Sequence, residues 1–357
     1  MSARSYAILL FVLGAGWPAP AAWPQGFAGL GSDARGFSVP QPGHELSFPA
    51  DHGPHPDYRI EWWYVTANLQ GEDGKQYGAQ WTLFRSALAP VEREGFADPQ
   101  VWIGHAAVTS NTGQFVAEKI ARGGVGQAGV TLAPFRAWID DWQMKGTKSA
   151  PDADLLSTLS LSAAGDGFSF SLGLKTDKAP ILQGDHGYSV KSGEGQASYY
   201  YSQPFFDVDG AIMIAGSKIN VTGKAWLDRE WSSQPLSASQ TGWDWFSLHL
   251  DSGEKVMAFR LRDGKAGFMS ATWISPDGRP EPLPPSAIRL DPIRQAFVQG
   301  RQVPVAWRVR VAEKGLDVLT EPLNDQAWMA TSIPYWEGPI TVKGSRSGRG
   351  YLEMTGY

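Results

Sequence analysis

One stretch, residues 55–85 (HPDYRIEWWYVTANLQGEDGKQYGAQWTLFR), leaves the chain few folds to choose from. Residues 60–69 and 76–85 are rich in β-branched and aromatic side chains, and GEDGK between them is turn chemistry, so the segment reads as a β-hairpin. Side chains alternate across a strand, which groups Glu61, Trp63, Val65, Ala67 and Leu69 on one face. On the second strand Ala79, Trp81, Leu83 and Arg85 share a face. A turn centred near Asp73 sets Glu61 opposite Arg85, Trp63 opposite Leu83 and Val65 opposite Trp81. The product is an apolar face with a carboxylate–guanidinium pair at its open end. Two structures accommodate it: a barrel wall closed by one charged pair, or an edge salt bridge beside a sandwich core.

The remaining chain follows the same grammar. Residues 101–110, 114–120, 136–144, 155–163, 167–175 and 199–208 read as short strands separated by turn signals, and in FSFSLGL (168–174) the alternation is strict. No helix beyond a couple of turns is evident. With 41 Gly and 25 Pro in 357 residues, this is an all-β pattern. The chain also echoes itself in order: 61–69 in 243–250, 78–85 in 255–262, and 103–113 in 268–278. The expected plan is therefore two related β domains, 50–208 and 209–357, after a Gly/Pro-rich lead-in at 23–49, with 199–219 crossing between them. The last strand, 348–357, closes a barrel rather than trailing as a tail.

Composition narrows the function. A formal charge of -5 with no basic run argues against a nucleic-acid partner. The absence of cysteine excludes disulfides, thiolate metal sites and a Cys nucleophile. Arg4, the apolar run 7–16 and Ala19-Pro20-Ala21-Ala22 form a signal segment, residues 1–22, that predicts export to the periplasm or beyond. Sixteen Trp either line an apolar cavity or fill two barrel cores.

The densest cluster of candidate chemistry is KAWLDREWSSQ, 224–234. As a strand it places Trp226, Asp228 and Glu230 on one face, and paired acids suit alkene hydration, isomerisation or glycoside cleavage. As a loop it would merely bond those carboxylates to backbone or to Arg229. Asp244 occupies the end of the apolar set Phe246, Leu248 and Leu250, as Glu61 does in the first hairpin. Desolvation there would raise its pKa, whereas Arg85 would keep Glu61 ionised. The catalytic candidates are thus Asp228, Glu230, Asp244 and Glu61. The ligand-contact candidates are Trp63, Trp81, Arg85, His105, Tyr200, Trp226, Trp243 and Trp245. Glu337 beside Trp336 is a further carboxylate of the same kind. His105, among small neighbours, reads as a buried hydrogen-bonded histidine, His52 as solvated, and His249 as outward-facing and structural or solvated. No histidine spacing suits a metal. The glycines at 123–126 precede no helix, so no nucleotide or other cofactor is expected.

At these residues a resemblance enters. HPDYRIEWWYVTANL, WTLFR, GHAAVTS, AWLDREWSSQPL, GWDWFSLHL and GRGYLEMTGY, spread over residues 43–357, resemble the AttH/carotenoid 1,2-hydratase family of lipocalin-like proteins, in the branch named "predicted secreted hydrolases". The resemblance implies two lipocalin-like antiparallel barrels packed side by side. Fungal lipocalin-type Diels–Alderases, similar in fold, keep their pocket between the two domains. The resemblance also implies cofactor-free, acid-catalysed hydration of a polyene or terpenoid-like alkene, although the hydratases' own catalytic positions have no residue-by-residue match here. Asp228 or Glu230 would protonate the double bond and a second carboxylate would direct water. Trp226, Trp243 and Trp245 would face the cation. The expected partner is a hydrophobic small molecule, with peripheral membrane contact. The alternatives are a lipid or pigment carrier without activity, and a hydrolase.

Overall fold

In the computed structural model, which describes residues 34–147, 154–265 and 267–357, the chain folds almost wholly into antiparallel strands. The signal segment 1–22 lies outside the described residues. The hairpin of β1 (Ile60–Gly71) and β2 (Gln76–Ala87) pairs Glu61 with Arg85, Trp63 with Leu83 and Val65 with Trp81, the register that the turn dictates. β3 (Gln100–Ser110) and β4 (Gly113–Arg122) extend the sheet from β2. Then come β5 (Ala128–Leu132), β6 (Phe135–Ile139), β7 (Trp142–Gly146), β8 (Thr158–Gly165) and β9 (Phe168–Lys175). Short β10 (Ile181–Leu182) and β11 (Tyr188–Val190) lie against long β12 (Ala197–Ile214), which turns into β13 (Ser217–Ser232). Eleven of the sheet's thirteen strands run β4-β3-β2-β1-β13-β12-β9-β8-β7-β6-β5, with β10 and β11 beside β12, and the sheet curls until β4 meets β6 and β8 in a nearly closed barrel.

The second sheet has ten strands: β14 (Gly242–Leu250), β15 (Lys255–Arg262), β16 (Phe268–Ile274), β17 (Pro280–Leu283), β18 (Ile288–Val298), β19 (Arg301–Val311), β20 (Leu316–Pro322), β21 (Trp328–Met329), β22 (Tyr335–Gly344) and β23 (Gly348–Thr355). It forms a half-barrel, ordered β17-β16-β15-β14-β23-β22-β20-β19-β18, with β21 on β22. The terminal strand β23 sits between β14 and β22 and ties the two ends of the unit together.

Two expectations need correction. Residues 136–144 are not one strand: Asp140 adopts φ 51° and turns the chain between β6 and β7, a backbone state that aspartate tolerates better than most residues. The division expected at 208/209 falls inside β12. There, Ala215 and Gly216, both at positive φ, fold β12 back onto β13. β13 then pairs with β1 and supplies Ala225, Leu227 and Trp231 to the first core, so the first unit runs to Ser232.

Each unit buries its own aromatic core. Trp63, Trp81, Trp142 and Phe135 fill the first, while Phe246, Trp307, Trp336 and Leu352 fill the second. At about 25 cal/mol per Å² of apolar surface buried, each such side chain contributes roughly 2–3 kcal/mol or more. A third cluster, including Tyr64, Tyr200, Trp226, Trp245, Phe259 and Tyr351, lies between the units and is built from outward-facing residues of both sheets. That junction is the basis for the site.

Candidate functional site at the junction of the two barrels

Strand alternation decides what reaches the junction. In β13 the odd positions Leu227, Arg229 and Trp231 point into the first barrel, so Trp226, Asp228 and Glu230 point out. In β12, Tyr199 and Tyr201 point in and leave Tyr200 and Ser202 outside. A bulge between Gln203 and Phe206 then reverses the parity, so that Phe206, Val208 and Ile212 point in. Pro204, with no N–H for a ladder, sits inside that bulge. The ladders thus align one outward row, Thr82–Tyr64–Asp228–Ser202, on the first sheet. A second row, Phe259–Trp245–Glu353–Glu337, runs across the second sheet. The two rows meet. Tyr64 packs edge-on to Trp245 with ring centroids 5.4 Å apart, and its hydroxyl donates to Glu337.

Asp228 is the best-held group. Its Oδ1 accepts from Trp226 Nε1 at 2.6 Å and from the Ser202 hydroxyl at 2.5 Å, and its Oδ2 accepts from the Tyr200 hydroxyl at 2.7 Å. Trp245 Nε1 in turn donates to the Tyr200 oxygen at 3.2 Å. Burial pushes the Asp228 pKa up to about 7, the three donors pull against that, and neighbouring Glu230 adds to the rise. The carboxyl is therefore about half protonated at neutral pH, and its conjugate base has three donors already in place.

Glu230 differs. It forms an ion pair with Lys191 at 2.8 Å and accepts from Ser198. Across the junction Glu337 and Glu353 are direct ladder partners. Glu337 is fully buried, and burial together with the charge of Glu353 holds its pKa well above the usual carboxylate range. Glu353 is only half-buried by its surface exposure, which tempers the push from its surroundings. Its pKa is still raised to about 7, chiefly by burial, while the Trp243 indole N–H that it accepts pulls the other way. Four carboxyls, two from each barrel, thus share an indole- and tyrosine-lined junction.

The other candidates lie elsewhere. Glu61 is sealed in the first barrel between Arg85 and Arg229, with His55 N–H at 2.9 Å, and the two guanidiniums hold it ionised. Its partner Arg85 also reaches Gln100 and the carbonyls of His55 and Tyr58. The charged pair therefore closes a barrel end; it is not an edge salt bridge. Asp244 holds the equivalent place in the second unit, facing Arg260 across the ladder, with Arg262 and the Tyr357 hydroxyl as further partners. It faces two guanidiniums, not a bare apolar mouth. Trp63 and Trp81 are core side chains of the first barrel, Trp63 lying under the Arg229 guanidinium at 3.8 Å. Tyr200, Trp226, Trp243 and Trp245 do reach the junction. His105 is buried at its edge, bonded to Tyr335 at 2.9 Å and Glu118 at 3.0 Å.

His52 is not solvated but fully buried, between the Tyr201 hydroxyl at 2.7 Å and Asp154 at 2.9 Å. His249 does face outward from its barrel, but the outside here is the junction. It is buried edge-on to Trp226, and burial lowers its pKa to about 3. Sequence reasoning passed over Glu353 and Tyr64. The alternation of Tyr351, Glu353 and Thr355 against Leu352 and Met354 was the available signal. Among the described residues no group of His, Asp and Glu suits a metal ion.

A family model described as AttH-like matches residues 39–357, and the chain belongs to that family. A Nitrosomonas europaea structure assigned to AttH is 34% identical, with TM-score 0.79, over 90% of this chain and 100% of that one. Kievitone hydratase from Nectria haematococca shares the fold at 16% identity, with TM-score 0.65, over 89% of this chain and 95% of that one. CghA, solved with Sch210972, shares it at 14% identity and TM-score 0.55, over 91% of this chain and 97% of that one. No curated protein matches the chain.

Proposed function

We propose that this member of the AttH-like family is an exported, cofactor-free hydro-lyase that adds water to an alkene of a hydrophobic, polyene or terpenoid-like molecule at the barrel junction. One observation carries the reading: Asp228, buried among indoles with its pKa raised to about 7, is poised between its acid and its base near neutral pH, with three donors in place for the conjugate base. That is what a general acid needs. The name of one fold relative, a hydratase, agrees with it.

In the mechanism, the Asp228 proton passes to one alkene carbon and the C=C π pair forms the new C–H bond. The cation left on the neighbouring carbon faces the π systems of Trp226, Trp243 and Trp245. Water attacks that carbon through an oxygen lone pair. Its surplus proton goes to the ionised member of the Glu337–Glu353 pair, and a later exchange with solvent restores Asp228. Hydrophobic matter suits the junction, since Met257, Phe259 and Leu261 line it beside the aromatic rings.

The test is to incubate the pure protein with acyclic polyenes and prenylated phenols in heavy-oxygen water. Product carrying the label from the parent protein, and none from D228N that still binds the same compound by tryptophan fluorescence, supports the reading. Compound bound and returned unchanged by the parent protein across the panel overturns it in favour of a carrier.

A further inference from the structure

The junction is buried, so a substrate needs a way in. A cavity of about 320 Å³ stands where three loops converge. Ser192 and Glu194 come from the β11–β12 loop, Ser239 and Gln240 from the segment joining the barrels, Asp263 and Gly267 from the β15–β16 turn, and Phe268 from the start of β16. Two of its lining residues, Gln240 and Phe268, touch the surroundings of the acid cluster. Gln240 Nε2 donates to the Lys191 carbonyl at 2.8 Å, and Phe268 packs on the junction cluster. Lys191 itself is only 7% exposed, pairs with Glu230 at 2.8 Å, and rests its ammonium 4.7 Å from the Tyr200 ring and 4.3 Å from the Phe259 ring. Tyr200 is the residue whose hydroxyl holds Asp228.

The geometry points to this cavity as the substrate port: it receives a neutral, hydroxyl-bearing head group, while Lys191 is the inner gate that yields to the olefinic tail. The inference rests on the hydratase reading for the tail's destination and adds the head-group class. Size supports it. A space of this volume suits a ring-sized head at the low end of ligand sites, but not a whole polyene, so the remainder must continue inward. Charge sets the head. Glu194 and Asp263 line the cavity, Asp263 with its carboxylate held by the Lys265 and Gly267 N–H groups, and Lys191 behind it is already neutralised by Glu230. An anionic head is repelled there, whereas a hydroxyl finds acceptors. The gate follows from the lysine stem. Its four-carbon chain can swing the ammonium to solvent and uncover the apolar space over Tyr200 and Phe259.

Binding of farnesol, farnesoic acid and farnesene to D228N, followed by tryptophan fluorescence, separates the cases. Farnesol should bind about tenfold tighter than the headless or the anionic probe, the scale of one hydrogen bond gained. S239W, which fills the cavity from an exposed position, should abolish farnesol binding, and E194K should shift preference toward farnesoic acid. K191M/E230Q, which removes the gate without stranding a charge, should bind farnesol with a faster on-rate. Unchanged farnesol affinity in S239W together with an unchanged preference in E194K overturns the port, and an unchanged on-rate overturns the gate. The two readings fail separately: blocked binding in S239W with no labelled product from the parent protein keeps the port and sinks the hydratase. Labelled product from S239W at the parental rate does the reverse.

Discussion

Tyr64 of the first barrel donates a hydrogen bond from its hydroxyl to Glu337 of the second, joining residues 273 positions apart across the junction. The same phenol also pulls down the raised pKa of neighbouring Glu353, so it acts on both members of a carboxyl pair that burial already keeps from ionising fully. The contact makes the junction a chemical site and not merely a glued surface.

Removing that donor should therefore be felt as a proton affinity. In Y64F the Glu337–Glu353 pair loses a group that favours its ionised form, and the protonated-carboxyl C=O band in the infrared should persist to higher pH than in the parent. A loss of about 1–3 kcal/mol in urea unfolding should accompany it. An unmoved band would remove Tyr64 from the pair's electrostatics.

Asp228 links activity and stability to one pH window. Its folded pKa of about 7 stands above the unfolded value of 3.8, so the folded state holds this proton more tightly. The stability is fully present below about pH 4 and is lost as pH rises toward 7, at up to about 1.4 kcal/mol per unit. D228N should thus gain on the parent protein in melting temperature between these limits. Hydration should fall about tenfold per pH unit above 7. A rate that stays level into alkaline pH would assign the proton to another group.

Glu61 has the opposite sign. Its pKa is depressed by Arg229 and Arg85, so its contribution is present above the unfolded value of 4.5 and is lost as pH falls toward the folded value. E61Q leaves two buried guanidiniums short of a counter-charge and should cost about 3–5 kcal/mol at neutral pH. Equilibrium denaturation followed by circular dichroism measures it, and a cost under about 1 kcal/mol, typical of an exposed pair, would contradict the buried network.

Gly78 sets how closely the barrels approach. A Cβ there would lie 2.3 Å from the Tyr351 hydroxyl and 2.8 Å from the Pro339 ring, both in the second barrel. G78A should force the junction apart at a cost of about 1–3 kcal/mol, read by denaturation. Its farnesol affinity should fall with it, since the same packing shapes the junction.

His249 should make the fold acid-sensitive. With a folded pKa of about 3 against 6.5 unfolded, it stays neutral in place, and stability drains as pH falls from about 6.5 toward 3. Replacing it in H249F should flatten the melting temperature against pH across that interval. A parallel decline in both proteins would place the sensitivity elsewhere.

How much of this was readable beforehand differs residue by residue. The Glu61–Arg85 register was legible because a hairpin turn of known length fixes every pair along its ladder. The shared face of Trp226, Asp228 and Glu230 was legible too, because alternation needs no neighbour to operate. The parity reversal at Pro204 was not, since a bulge looks like any other aromatic run with a proline in it. Nor was the first unit's extension to Ser232 legible, because Ala215-Gly216 marks a turn without saying which sheet the chain returns to.

Alternation sorts inside from outside for a single barrel. His249, Tyr64 and Glu353 were all on outer faces by that rule, and an outer face normally means water. Only the docking of the second sheet on the first turned that exterior into an interior, raising the carboxyls and neutralising the histidine. The strands, their pairing and the candidates for acid chemistry were thus determined locally, by side-chain period and turn length. Which acids meet, and which of them hold a proton, was decided by the docking of segments more than 100 residues apart, as where Tyr64 meets Glu337, whose energy depends on burial that no local pattern records.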